Sequence, residues 1–425
     1  MAQPQERRRL PGRSPALWSA SQPTPVAETA VAPFTALGRA DALWAHPAGG
    51  LSAAAFGEAS RREGASLQAV LSGLDAPADA PEGMPGPWFG AAAFDGSVGP
   101  DWSGFSALRF TLPQLLVWRR EGRQFAAAFG ERAAERLDEA RRLLDRDRDH
   151  DRDRELGRSR RLPSPGDRRH WDALVTRALD AISFGSLDKV VLARALEVEA
   201  TVEIDADLLL ARLESRYPDC RSFLLRGRGG RTFLGATPEL LCRIEGDRIS
   251  TEALAGSAQP GNDVALLTDA KELREHRWVV DHLAQALSRV SGSIEFAREP
   301  RLRRLANVVH LHTPVEARVA MGRTVADVVC ALHPTPAVAG VPAGAALRFL
   351  QEHEDLDRGL YAGLVGWAGP DRAELAVGLR CALVRGRQAR LFVGAGIVEG
   401  SSPEAEWEET ELKARALLDA LGATP

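Results

Sequence analysis

The stretch AELAVGLRCALVRGRQARLFVGAGIVEGSSPEAEWEETELKARALLDAL, residues 373–421, decides the fold class. Two apolar, strand-forming runs, AELAVGLRCALV and ARLFVGAGIV, flank RGRQ at 385–388 and read as a hairpin. The run SSPEAEWEETELKARALLDAL (401–421) then takes helical spacing, with Ser402 placed as its cap and Pro403 in its first turn. Hairpins that feed long helices predict an α+β fold with antiparallel sheets, not a parallel βαβ sheet.

The same pattern extends outward along the chain. QLLVWRREGRQFAAAF (114–129) reads as a hairpin turning at Glu121-Gly122, and LLCRIEGDRIST (240–251) as one turning at Gly246-Asp247. RSFLLRG and TFLGAT flank the turn GRGG at 227–230. Helical spacing marks RAAERLDEARRLL (132–144), HWDALVTRALDAIS (170–183), and DADLLLARLESRY (205–217) with Asp205 as cap. DVALLTDAKELREHRWVVDHLAQALSRV (263–290) reads as one long amphipathic helix, and ADVVCALH (326–333) as a short one ending at Pro334. KVVLARALEVEA (189–200) is strand-like in its first half.

Residues 1–35 are rich in Pro, Ala, Ser and Arg and read as a loose arm. Short apolar runs fill 36–144. Alternating opposite charges in 145–169 read as a solvated linker, and the densest motifs follow in 170–425. With 425 residues and 44% hydrophobic content, the chain can bury one large core or two ordinary ones. A net charge of −4 without a basic stripe argues against nucleic acid. No apolar stretch reaches membrane-span length and none follows the basic start as in a signal peptide, so a cytoplasmic protein is expected. Four scattered cysteines offer neither a zinc motif nor a disulfide framework. Cys242 and Cys381 sit in apolar runs and read as core residues.

Of 54 basic Lys and Arg residues, only Lys189, Lys271 and Lys413 are lysines. Arginine covers generic positive charge but does not give up its proton, whereas lysine can. Each lysine is therefore a candidate for chemistry. Lys189 opens an apolar strand, where desolvation would favour its neutral form. Glu406, Glu409 and Lys413 recur at i, i+3 and i+7 and share one helix face. Carboxylates one turn apart suit Mg²⁺, a hard cation; the same face also reads as a solvated helix side with one Glu409–Lys413 ion pair. Glu275 follows Lys271 by one turn, beside His276. GAGIVEGSSPE (394–404) is a glycine-rich run into a helix N-terminus, where backbone N–H groups can hold an anion. It matches neither a Walker loop nor a dinucleotide fingerprint. The histidines of HLHT (310–313) and HPTP (333–336) lack zinc-helix spacing and read as structural or hydrogen-bonding residues.

KVVLAR (189–194), FLGATPELL (233–241), EALAGS (252–257), EHRWVV (275–280), VVHLHT (308–313), LHPTPAVAG (332–340), RGLYAGLVGW (358–367), GLRCALV (378–384) and VGAGIVEGSSPEAEWEETELK (393–413) together resemble the chorismate-utilising enzymes, most of all the isochorismate synthases. The ordered resemblance covers residues 170–425, and the N-terminal half matches weakly. It implies a four-layer α/β/β/α sandwich: two large, mainly antiparallel sheets flanked by helices, with the active site in the cleft between them. The N-terminal half would add strands to the same unit, making 145–169 a surface excursion.

The resemblance further implies an isomerase that converts chorismate to isochorismate, by water attack at C2 and loss of the C4 hydroxyl. Lys189 would be the general base and Glu239 the general acid. Glu275 and Glu409 would bind Mg²⁺, helped by Glu406. Tyr361, Arg380, Gly394, Gly396 and Lys413 would meet the enolpyruvyl side of the substrate, with Gly256, Ser257, His310 and Ala337 lining the pocket. Lys271 gains no role. Ammonia-adding and salicylate-forming relatives tend to carry Thr where this chain has Ala337, which favours water as nucleophile. A salicylate-forming lyase, and a chorismate-binding subunit that needs an amidotransferase, are the alternatives. Two departures, Ala317 in place of a common Gly and Glu252 before ALAGS, touch none of the proposed acid, base or metal residues. A monomer is expected. Isochorismate feeds menaquinone and catechol siderophores alike.

Overall fold

The computed structural model describes residues 39–76, 83–146, 156–163, 167–258, 261, 263–304 and 308–424. The expected N-terminal arm, 1–35, and most of the charged segment, 147–155 and 164–166, lie outside the described residues.

Two sheets dominate. The first has twelve strands among the described residues. From edge to edge they are Ala423–Thr424, Ser159–Arg161, Lys189–Ala200, Gln388–Val398, Cys381–Arg385, Arg231–Thr237, Arg221–Arg226, Ala42–His46, Leu51–Phe56, Leu115–Arg120 and Arg123–Ala128, with Gly340–Val341 added to the Lys189 strand. All pairs are antiparallel except the outermost, Ala423–Thr424 on Ser159–Arg161. The second has ten: Ser291–Phe296, Val309–Val319, Arg248–Ala258, Leu240–Glu245, Arg372–Val377, Leu364–Ala368, Trp88–Ala92, Leu108–Leu112 and Ser60–Glu63, with Arg301–Arg304 also on Val309–Val319. Strands from before and after the charged segment thus share both sheets.

Helices cover the outer faces. Ala206–Arg216 and Pro403–Leu421 pack on the first sheet through Leu209, Leu213, Leu417 and Leu421 against Leu196, Leu224 and Leu391. Ala270–Ser288 packs on the second through Val279, Leu283 and Leu287 beside Ile249 and Val315. Between the sheets an aromatic column joins Phe223, Phe233, Trp102, Phe392 and Tyr361, with successive ring centroids 5.1–5.4 Å apart. Each such ring pair adds roughly 1 kcal/mol beyond the area it buries.

Three local expectations change. The 263–290 run is two helices, Asp263–Leu266 and Ala270–Ser288. The first stops at Leu266, and Asp269 caps the second, its carboxylate accepting from the N–H groups of Lys271 and Glu272. KVVLARALEVEA is strand throughout, because Glu197 and Glu199 face outward at alternate positions while Leu196 and Val198 stay buried. AELAVGLRCALV is not one strand. Arg372–Val377 belongs to the second sheet, Cys381–Arg385 to the first, and Gly378–Arg380 crosses between them. FLGATPELL does the same, crossing at Pro238-Glu239 between Arg231–Thr237 and Leu240–Glu245. The two crossings lie side by side, joined by Ala236 N–H to Arg380 C=O (3.2 Å) and Val377 N–H to Glu239 C=O (3.1 Å).

Candidate active site

The paired crossings form the floor of a cleft of about 780 Å³, open mouth included. Glu239 stands on one crossing and Arg380 on the other, and both line the cleft. Arg380 has φ +47°, a left-handed conformation that costs a non-glycine residue energy and persists where surrounding structure imposes it. Glu275, Glu409, Gly256, His310, Ala337, Tyr361, Gly394, Gly396 and Lys413 also line the cleft. The sequence had scattered all of these over more than 170 residues.

Gly256 is the bulge residue of strand Arg248–Ala258, at φ +78°, and the register shifts on either side of it. A Cβ there would stand 3.3 Å from a Glu272 carboxylate oxygen. Ser257 pairs with His310 across the ladder, and its side chain lies outside the described residues.

The glycine-rich GAGIVEG run is strand as far as Val398 rather than loop. Gly394 and Gly396 lie in strand Gln388–Val398, and Ser402 itself caps the following helix by accepting from Ala405 N–H. The glycines instead give room. A Cβ on Gly396 would meet Glu275 Oε1 at 2.8 Å and Lys189 Cε at 3.1 Å, and one on Gly394 would meet the Tyr361 hydroxyl at 2.7 Å.

Lys189 is fully buried just behind the lining, and its Nζ donates to Glu275 Oε1 at 2.7 Å. Strand alternation sends Lys189 and Val191 toward the cleft and Val190 and Leu192 into the core. Glu406 is buried behind Glu409. Its nearest cation is Lys271, whose Nζ donates to Glu406 Oε1 at 2.9 Å. Lys413 donates to Glu409 (2.7 Å) and to Gly394 C=O (2.9 Å). Every lysine of the chain thus holds one carboxylate of the helices Ala270–Ser288 and Pro403–Leu421. Sequence reasoning had left Lys271 without a partner, because the contact spans 135 positions.

Sequence reasoning also missed Glu272, which lines the cleft. A signal was present: Glu272 and Glu275 repeat the i, i+3 spacing of Glu406 and Glu409. The apolar lining by Val191, Pro238, Leu254, Val338, Leu379 and Phe392 was likewise invisible to motif reading.

Electrostatics sort the groups. Burial pushes the Glu239 carboxyl up to about 7, with the Lys189 charge working against that rise. The Thr335 hydroxyl approaches Glu239 Oε1 at 3.5 Å. Burial, then the Arg380 and Lys413 charges, drive His310 down to about 3, so it is neutral, with Nδ1 3.2 Å from Gly256 C=O. Burial drives His276 down to about 4, and its ring nitrogens bond Ala255 C=O and the Thr313 hydroxyl. Burial raises Tyr361 well above its ordinary value, so its hydroxyl keeps its proton. Glu406 is raised by burial and by the Glu409 charge. Glu409 is lowered because Lys413 outweighs its burial.

Four carboxylates on two helices form a hard-oxygen donor set of the kind Mg²⁺ takes. Among the described residues, no three acidic, imidazole or thiol groups converge closely enough to enclose an ion. The ammonium groups stand interleaved among the carboxylates instead. The donor chemistry fits the metal, and the lysine ammonium groups stand among the donors.

Comparison with known proteins agrees with this geometry. The family model described as "Chorismate binding enzyme" matches residues 36–422. A relative named salicylate biosynthesis isochorismate synthase, from Pseudomonas aeruginosa, is 40% identical over 269 residues, covering 61% of this chain and 56% of the relative. Isochorismate synthase EntC of Escherichia coli (strain K12) is 36% identical over 261 residues, 59% of this chain and 67% of the relative. The match thus spans little more than half the length of the first of these and two thirds of the second. The solved structure of MenF, the menaquinone-specific isochorismate synthase from Escherichia coli, superposes with a TM-score of 0.77 at 28% identity, covering 95% of both chains.

Proposed function

The chain belongs to the family of chorismate-binding enzymes, and on that premise we propose that it is an isochorismate synthase, an isomerase that adds water at C2 of chorismate and expels the C4 hydroxyl. One observation carries the reading: a carboxyl pushed up to about 7, Glu239, lines a cleft behind whose wall a lysine, Lys189, is fully buried. Water is a poor nucleophile and hydroxide a poor leaving group, so the exchange needs a base and an acid together.

Lys189 takes a proton from the water that attacks C2. Glu239, protonated near neutral pH, gives its proton to the departing C4 oxygen. Atoms balance: one water enters, one leaves, and the ring keeps its oxidation state. Glu275, which accepts from Lys189 Nζ, positions the amine at the wall of the cleft.

Chorismate is a dianion entering a cleft that already holds four carboxylates. That charge balance supports a divalent cation. Glu275 and Glu409 would hold Mg²⁺, with Glu272 and Glu406 beside them. The ion's contribution when bound is to offset the substrate carboxylate's charge in a site poor in water. Arg380 and Lys413 supply fixed positive charge for the second carboxylate, and the Tyr361 hydroxyl is a donor beside them. The small methyl of Ala337 leaves its part of the wall without a hydroxyl.

The reading extends to a monomer working in the cytoplasm, where its four unpaired thiols match a reducing compartment. Among the described residues no helix is long and apolar enough to cross a membrane.

The test is to incubate purified protein with chorismate and Mg²⁺, with and without EDTA, and to separate products by HPLC. Isochorismate that forms with Mg²⁺ and is lost with EDTA supports both the reaction and the metal. Salicylate with pyruvate would move the chain to the lyase reading. No conversion by the chain alone would favour a binding subunit.

A further inference from the structure

Lys271 is the lysine for which the proposed chemistry has no use, yet it spans the two helices that carry the carboxylates. It stands in the first turn of Ala270–Ser288, its own N–H held by Asp269 at 2.9 Å. Its side chain leaves that helix and reaches Glu406 Oε1 on Pro403–Leu421 at 2.9 Å, with Glu272 Oε1 4.0 Å away. Glu406 has a side chain only 2% exposed, beside the like charge of Glu409. A buried carboxylate next to another carboxylate stays ionised only with a cation close by.

We infer that Lys271 is a built-in substitute for the divalent ion: without metal its ammonium clasps the two carboxylate-bearing helices together, and binding of the ion expels it into solvent. This rests on the Mg²⁺ reading above. Exposure separates the three lysines. The Lys189 side chain is 0% exposed and that of Lys413 is 16%, and Lys413 is also tied to Gly394 C=O; the Lys271 side chain is 29% exposed and has a path outward. A lysine suits the task, because a compact point charge on a flexible stem can let go, whereas an arginine fork on a carboxylate is held in two places.

The clasp makes lysine and metal competitors. Apparent Mg²⁺ affinity is then reduced by the fraction of molecules in which Glu406 is free. The test is calorimetric titration of Mg²⁺, without chorismate, into wild type, Lys271→Met, Lys271→Arg and the control Arg274→Met. Arg274 sits on the same helix and pairs with exposed Glu399, so its loss reports general charge. Lys271→Met should bind Mg²⁺ roughly tenfold tighter, the factor expected if the clasp is closed about nine-tenths of the time. Lys271→Arg should bind no tighter than wild type, and Arg274→Met should stay within about twofold of it.

Hydrogen exchange supplies a second readout. Metal-free Lys271→Met should exchange faster than wild type over residues 269–275, and saturating Mg²⁺ should erase the difference. Unchanged or weaker Mg²⁺ affinity in Lys271→Met, or an exchange difference that persists with Mg²⁺, overturns the inference while leaving the metal reading intact. A folded wild type that binds no Mg²⁺ overturns both.

Discussion

Two buried ionic clusters among the described residues are built from different cations. One, on the strand Arg221–Arg226 and its neighbours across the sandwich, uses arginine. Arg221 Nε donates to Glu374 Oε1 at 3.0 Å and Nη1 lies 3.8 Å from Glu252 Oε1; Arg303 holds both oxygens of Glu252 at 2.8 Å; His312 Nε2 meets Glu252 at 2.8 Å. Glu252 is pulled down to about 2, because His312 and the arginines outweigh its burial. The other cluster is the cleft, where Lys189, Lys271 and Lys413 each hold one glutamate. Arginine grips a carboxylate with a rigid fork and keeps its proton, so the first cluster is a lock. Lysine is a point charge that can release a carboxylate or a proton, so the second is a working site. The lesson is that between these two clusters the choice of cation separates a fixed contact from a releasable one.

The sharpest way to break this division is Lys189→Ala. It should lower kcat by about 10³-fold, within the ~10²–10⁴ range of a lost general base, while chorismate still binds by calorimetry. Full turnover would remove the base from the account. Arg221→Met is the counterpart on the arginine side. It should cost about 3 kcal/mol in urea unfolding, since Glu374 and Glu252 would lose a buried partner, with kcat changed less than about threefold. A larger loss of kcat than of stability would erase the distinction between the clusters.

Glu239→Gln tests a group shared by both ideas. A carboxyl raised from 4.5 to about 7 binds its proton more tightly folded than unfolded. The wild type should therefore lose stability as pH climbs from 4.5 through 7, in total roughly 3 kcal/mol. The variant should lack this loss: no more stable than wild type at pH 4, more stable at pH 8, and catalytically impaired at both. Parallel stability curves for the two proteins would rule out the raised carboxyl. The smallest expected effect is that of Lys413→Met, about a tenfold rise in KM for chorismate with kcat less affected, as for one lost charge-assisted bond. Here an unchanged KM would take Lys413 out of substrate binding and leave it a partner of Glu409.

The antiparallel sheets and their hairpins were legible because turns such as Gly246-Asp247 and Glu121-Gly122 punctuate alternating runs, and both the Gly246-Asp247 and RGRQ hairpins are present. The crossings at Pro238-Glu239 and Gly378–Arg380 were not legible. A strand that passes from one sheet to the other stays apolar on both sides of the crossing, so periodicity does not change there. Lys189, Glu239, Glu275 and Glu409 stood out through rarity, spacing and motif order. Glu272 had the same spacing as Glu406 but no motif drew attention to it. The Lys271–Glu406 contact depends on how two distant helices are carried by two different sheets, which no local pattern encodes. Asp269, three residues before Glu272, was a readable helix start inside what read as one long helix.

The central claim is that water, activated at Lys189, replaces the C4 hydroxyl. The direct measurement is mass spectrometry of the product formed from chorismate in H₂¹⁸O with Mg²⁺, stopped at low conversion. The account predicts isochorismate carrying one ¹⁸O, located at C2. Unlabelled isochorismate would mean that the hydroxyl migrates within the substrate, and the acid–base pair of Glu239 and Lys189 would not perform the reaction described.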